Sequence, residues 1–374
     1  MNRKLIAALL ACILLLGCTG CSLFSTTYTS QKEFRGNGAL TLDEDLLVVQ
    51  NYAELRRTVF NMVNTHEEEI RMLFSGYTGN VVSDLASVCS AVNTESAYGA
   101  YCVDYVTYDL TQIVSYYEAT INIAYRLGPE ESQDMENANN LQEFGELLSA
   151  ALKEEQEQLV VKVNNGSGDD KAVNAFMRQT LRNHPMAISY VPGMQLVIYS
   201  GSSSQKIYQV NMIYDEELPN QKRLKDMQQS VNQLIQGVSS SENAETVREL
   251  AHKLYDHIPE YGEGNTAYDA LVTAVADSEG IATGFKALCD AVHVPCIVVS
   301  GLINKQPHFW NIVQLGKDYY HVDVSLMDQL GERALFMNDL EKQVDCWWNQ
   351  ADYPDCEGAP ILLQEAETAA ALRH

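Results

Sequence analysis

At 374 residues the chain is longer than one average domain, and its 46% apolar content supplies at least one large core. Its 50 acidic side chains outnumber 25 basic ones for a net charge of −25, a surface that repels polyanions and so excludes nucleic acid as a partner. Nine cysteines are present, but no CxxC stands opposite a second CxxC or a histidine pair, so neither a structural metal nor a cofactor is assigned.

The chain opens on "MNRK", basic, and continues with the apolar run "LIAALLACILLLG", too short to span a bilayer comfortably and suited to the core of a signal peptide. "LLGC" follows and resembles the lipobox of bacterial lipoproteins, which implies cleavage after residue 17 and a lipid on Cys18, with Cys21 of "CTGC" as the alternative. Loss of residues 1–17 removes Arg3 and Lys4 and no acid, leaving 23 basic against 50 acidic side chains, or −27. The mature chain is then expected on the extracytoplasmic face of the cell membrane, held by its lipid. Residues 18–45, rich in Ser, Thr and Gly, read as a tether.

Folding is expected from residue 46. "YAELRRTVFNMVNTHEEEIRMLF" carries Leu55, Val59, Met62, Val63 and Ile70 at helical spacing and reads as a helix. "YYEATINIAYR" alternates, with Tyr117, Ala119, Ile121, Ile123 and Tyr125 on one face, and reads as a half-buried strand. Six tyrosines in this first α+β unit (46–130), Tyr98, Tyr101, Tyr105, Tyr108, Tyr116 and Tyr117, either line a peptide or sugar surface or pack the strands. The segment from Gly128 to Val163 reads as a charged helix, "NNGSGDD" as a break, and "KAVNAFMRQTLRNH" as a helix before the strands "AISYV", "MQLVIYS" and "KIYQVNMIYD". Because "VNMIYD" echoes "INIAYR", the 131–215 region is expected to hold a second copy of a helix-plus-strand unit.

Beyond residue 220 the pattern turns to helices and then strands. Leu224, Met227, Val231, Leu234 and Ile235 form one stripe ending at Gly237, and Val247, Leu250, Ala251, Leu254 and Ile258 form the next, with Ser239 and Glu242 as a capping box. "SEGIATGF" reads as a glycine turn at Gly280 leading into a buried helix from about Ala282 to Val292, followed by the strand "CIVVS". "HFWNIVQLGKDYYHVDVS" reads as a hairpin with Gly316 and Lys317 at its tip. That register places Leu315 opposite Asp318 and His308 opposite Ser325, so Asp323 lies diagonal to His308 on one face, an imidazole beside a carboxylate.

In "AYDALV", "SEGIATGF", "LCDAVHVPCIVVSG", "HFWNIV", "YYHVDVSLMD" and "WWNQADYPDC", residues 220–360 resemble the transglutaminase-like superfamily. The first 200 residues carry no such resemblance. It implies an α+β fold of the papain-like cysteine protease type, with helices packed on an antiparallel sheet, and a catalytic order of Cys, His, Asp. His308 matches the family histidine and Asp323 the aspartate, but the cysteine position is Ala282. A methyl group cannot attack a carbonyl, and losing the nucleophile of a covalent mechanism costs on the order of a million-fold in rate. Cys289 lies about 10 Å further along the same helix, Thr283 points about 100° round it, and Ser278 lies before the turn, so none is expected to stand in. His308 and Asp323 are then a retained structural pair, and His321, His293 and His257 show no ligand spacing. Trp310, Trp347 and Trp348 either border a groove or belong to the core. Cys346 and Cys356, flanking a Trp-rich loop, are expected to form a disulfide, and Cys89 with Cys102 is the other local pairing. The resulting expectation is an inactive transglutaminase-like module that binds or scaffolds protein, peptide or cell-wall ligands. An active thiol enzyme with an unexpected nucleophile is the alternative. Residues 361–374 read as a tail.

Overall fold

The computed structural model describes residues 46–239, 243–359 and 361, so the leader, Cys18, Cys21, the tether and nearly all of the tail lie outside the described residues. Two compact units divide between Ser132 and Gln133. Both mix helices and sheets, as expected of an α+β chain.

The first unit runs β1 (Leu47–Val48), α1 (Tyr52–Asn64), β2 (Glu69–Phe74), α2 (Val81–Glu95), α3 (Ala97–Cys102), β3 (Val103–Ile113), β4 (Tyr116–Tyr125) and a helical turn, α4 (Pro129–Gln133). Its sheet has the order β1-β2-β4-β3. α1 begins where the Asn51 side chain accepts the Glu54 N–H at 3.0 Å, while the Glu54 carboxylate accepts the N–H of Gln50. The helix is shorter than its apolar stripe implies: it ends at Asn64, His66 turns left-handed at φ 57, and Ile70 belongs to β2. Met72, Leu73 and Phe74 are buried in succession, a run that a single helical stripe cannot produce. β4 keeps its expected alternation, burying Ala119, Ile121 and Ile123. The tyrosines do not share a surface. Tyr98 and Tyr101 sit on α3, whereas Tyr105 and Tyr108, three apart on β3, take opposite faces.

The second unit opens with β5 (Glu136–Ala138), α5 (Leu141–Lys153), β6 (Gln158–Val163), α6 (Asp170–Asn183), β7 (Gly193–Ser200) and β8 (Lys206–Ile213), in a sheet of order β5-β6-β8-β7. The charged helix expected over this stretch is therefore broken by two strands, because Asn140 caps a new helix start and Leu159, Val160 and Val161 form another consecutive buried run. "AISYV" forms no strand. The echo between the two regions is a duplication of whole topology. Leu47 pairs with Met72 as Glu136 pairs with Val161, and Glu69 pairs with Asn122 as Gln158 pairs with Asn211, each position 89 residues from its counterpart, as 136 is from 47. Details repeat at the same spacing. Asn140 accepts the Glu143 N–H as Asn51 does that of Glu54, and the Tyr214 hydroxyl donates to the Gln156 carbonyl as that of Tyr125 does to Glu67.

The rest of this unit comprises α7 (Asn220–Leu234), α8 (Ala244–His257), β9 (Glu260–Tyr261), β10 (Val275–Ala276), α9 (Ser278–Ala291), β11 (Cys296–Ile303), β12 (Gln306–Leu315), β13 (Asp318–Val322), α10 (Met327–Leu330), β14 (Leu335–Met337), α11 (Asp339–Lys342) and β15 (Cys346–Trp348). A five-stranded sheet of order β14-β13-β12-β11-β15 packs against α8 and α9, with Leu250, Leu254, Phe285, Leu288, Val313 and Val322 in one core. α8 starts after Asn243, which accepts the Thr246 N–H, so Ser239 is not its cap. Gly280 is no turn either: Asp277 caps α9 by accepting the N–H groups of Glu279 and Gly280, and the helix already begins at Ser278. The glycine is required by close approach, since a Cβ there would lie 2.5 Å from the Gly264 carbonyl oxygen. One further joint lies inside this unit. β15 covers β11 only at Gly301–Ile303, and at Val298 the side chains of α6 take over: Gln179 donates to its carbonyl at 2.5 Å and Asn183 accepts its N–H at 3.0 Å.

Candidate functional site

The hairpin register is as read, with Leu315 opposite Asp318 and Gly316 at φ +65. It stops at Asn311 opposite Val322, because the chain leaves the sheet into a 3₁₀ turn over Val324–Leu326. His308 therefore has no partner in Ser325 and pairs on its other side with Gly301. Asp323 still meets the imidazole, its Oδ2 accepting from His308 Nε2 at 2.7 Å. Both side chains are buried.

The carboxylate has more donors than the sequence disclosed. Lys342 Nζ, from α11, donates to the same Oδ2 at 2.5 Å, and the Ser325 hydroxyl donates to Oδ1 at 2.7 Å. Desolvation alone would push the Asp323 carboxyl up, but the Lys342 ammonium and the His308 hydrogen bond reverse it and hold the group well below the usual carboxylate range. Lys342 is itself buried, with its ammonium 4.5 Å from the centre of the Trp310 ring. Charge at the pair is thus already compensated within the protein. Nothing in "DLEKQ" marks Lys342 as a buried residue.

Ala282 lies on the second turn of α9, buried, with its carbonyl accepting from Asn311 Nδ2 at 2.9 Å, three residues along β12 from His308. The Thr283 hydroxyl donates to the backbone oxygens of Glu279 and Gly280, and Ser278 Oγ accepts the Phe309 N–H at 3.3 Å. Cys289 is wholly buried, and burial together with the adjacent Cys296 sulfur pushes its thiol up. Cys89 is pushed up to about 12 and Cys102 to about 11, both chiefly by burial.

The expected Cys346–Cys356 disulfide is not formed, and Cys89 and Cys102 are also free. The backbones at the first pair answer to different partners. Cys346 opens β15 opposite Ile303, whereas Cys356 donates its N–H to Asp339 Oδ2 and accepts the Asp339 N–H, each at 2.9 Å. Trp310 and Trp348 are core, with rings edge to face at 5.6 Å, and Trp347 is exposed.

His321, read as an ordinary residue, sits in a buried chain. Trp310 Nε1 donates to its Nδ1 at 2.9 Å, and its Nε2 faces Asp339 Oδ1 at 2.9 Å. The register that located Asp323 also puts His321 diagonal to Trp310, so the signal was in the sequence. His321, Asp339 and Cys356 have ligand atoms within 4.8 Å of one another. The Trp310 N–H fixes the tautomer, however: with Nδ1 accepting, Nε2 carries the proton and has no lone pair for a metal. Burial first, and then the Lys342 charge, lower the His321 pKa to about 4. The unfolded histidine, near 6.5, takes up a proton that the native one refuses until about pH 4, so stability falls as pH drops through that window. Urea unfolding at pH 7 and pH 5 is expected to show a loss of about 2 kcal/mol from this group, and His321→Gln should shrink the loss. An equal loss in the variant would show that His321 is not the titrating group.

No family model matches this chain, and no curated protein does. Among solved structures it is similar to a TGase, at 14% identity and a TM-score of 0.26 over 52% of this chain and 59% of that one. It is similar also to a candidate cysteine protease from Cytophaga hutchinsonii, at 11% identity and 0.25 over 44% and 70%. A third is the periplasmic domain of TgpA from Pseudomonas aeruginosa bound to ethylmercury, at 16% and 0.22 over 36% and 60%. The chain spans about three fifths of the length of the first of these.

Proposed function

We propose that this chain is a lipoprotein, anchored through Cys18 on the extracytoplasmic face of the membrane, whose transglutaminase-like region has lost catalysis and serves as a binding or scaffolding module for peptide or cell-envelope ligands. The observation that carries the reading is Ala282 where the resemblance calls for a thiol, with the Thr283 hydroxyl bound to its own helix and the Cys289 thiol wholly buried. Compensation of Asp323 by Lys342 supports it as well. A carboxylate that already holds a buried ammonium has less field to offer an imidazolium, which is what a thiolate–imidazolium pair needs. "LLGC" after a basic and apolar leader supports the anchor.

Alkylation of the native protein tests the loss of catalysis. With iodoacetamide at pH 7, the thiols among residues 46–361 are expected to react slowly without denaturant and fully in it, because all six are buried and burial pushes Cys89, Cys102 and Cys289 up. A thiol in this range that labels rapidly at neutral pH would favour a working thiol enzyme instead.

A further inference from the structure

Apart from the His308–Asp323 pair, the second unit contains a cavity of about 320 Å³ beside the first turns of α9, a volume in the range of small-ligand sites. Its walls come from α6, the segment that leads from it into β7, residues 265–267, and α9. Leu181, Ile188 and Met194 give it an apolar side, and Arg178, Arg182 and Glu279 a charged one. Two of those charges are spent on each other. Arg182 Nε donates to Glu279 Oε1 at 2.7 Å, and its guanidinium lies 4.7 Å from the centre of the Phe309 ring. Arg178, one turn earlier on the same helix, makes no ion pair with any described residue and reaches the cavity from an exposed position. The site therefore carries one uncompensated positive charge next to an apolar wall, on a protein whose net charge is −25.

We infer that this cavity binds an organic monoanion, specifically the free carboxylate end of a peptide with an apolar last residue, with the carboxylate on Arg178 and the side chain against Leu181, Ile188 and Met194. A planar guanidinium matches a carboxylate through two parallel hydrogen bonds, and one free cation selects one negative charge over several. The Glu279 carboxylate, held by Arg182, repels a second anionic group and limits the ligand further. This deepens the binding reading above, yet it rests on the cavity alone. Rapid alkylation of the native protein would end the inactive-module reading and leave this site standing.

The test is calorimetric titration of the full chain with N-acetyl-Ala-Leu carrying a free carboxylate, and with the same dipeptide as its C-terminal amide. The acid is expected to bind at least tenfold more tightly than the amide. Arg178→Ala, at an exposed position where folding is not at stake, should remove that preference. Glu279→Gln should tighten the acid severalfold by freeing Arg182. Equal affinity for acid and amide, no heat from either at millimolar concentration, or an acid preference that survives Arg178→Ala would each overturn the assignment.

Discussion

Lys342→Met is expected to lose about 3–5 kcal/mol of stability at pH 7, read as a lower urea midpoint with an unchanged slope. The lysine is buried and its Nζ lies 2.5 Å from Asp323 Oδ2, so the substitution leaves a carboxylate in the interior with its counter-charge gone. Methionine keeps most of the packing against Trp310, which confines the loss to the charge. Set against a typical total of about 5–15 kcal/mol, such a change brings the protein close to unfolding. Adding Asp323→Asn should restore part of the loss, because removing both charges is far less costly than stranding one. The sign with pH is fixed by the depressed Asp323 value: its stabilisation is complete above the ordinary carboxylate pKa near 4 and disappears as pH falls below it toward the folded value. A loss under about 1 kcal/mol for Lys342→Met would mean that the ammonium reaches water.

Ala282→Cys is expected to place a thiol on the second turn of α9 that alkylates at pH 7 at least tenfold faster than any native thiol of the described residues. The N-terminal end of the helix favours thiolate, and His308 lies three residues along β12 from Asn311, whose amide holds the residue-282 carbonyl. His308→Ala in the same background should slow the reaction while leaving the helix contribution. Asp323→Asn should slow it less, since Lys342 already takes up much of that carboxylate's charge. Ordinary reactivity in Ala282→Cys, indifferent to His308, would show that the imidazole does not reach position 282, and the link between this turn and a thiol-enzyme site would fall.

The sequence disclosed what depends on local periodicity or on a single tight turn. Alternation located β4, its echo in "VNMIYD" pointed to β8, and the Gly316–Lys317 turn set a register good enough to bring His308 and Asp323 together although the strand ends before Ser325. Two kinds of feature stayed hidden. Short buried runs such as Met72–Phe74 and Leu159–Val161 follow closely on amphipathic helices, and helical spacing continues across the boundary, so Ile70 fits the stripe of α1 although it belongs to β2. Partners brought in by tertiary packing were equally invisible. Lys342 stands 19 residues beyond Asp323 in an ordinary charged segment, and Cys346 and Cys356 sit close in sequence while their backbones are fixed by Ile303 and Asp339. Gly280 is not a bend but a place where the Gly264 backbone comes too near for any side chain, a constraint that no local pattern signals.

The duplication also carries a record of specialisation. In the second copy, α6 presents Arg178, Gln179, Arg182 and Asn183; 89 residues earlier, α2 has Cys89, Ser90, Asn93 and Thr94. Short side chains at Ser90 and Thr94 cannot span the gap that Gln179 and Asn183 bridge to Val298, and α2 itself has no guanidinium to offer a carboxylate. One twin has become the adapter that completes a neighbouring sheet edge and walls a charged cavity, and its sibling kept the scaffold without the fittings. The whole of that joint lies on the C-terminal side of Ser132, so a chain severed at that point carries every hydrogen bond of the adapter away intact.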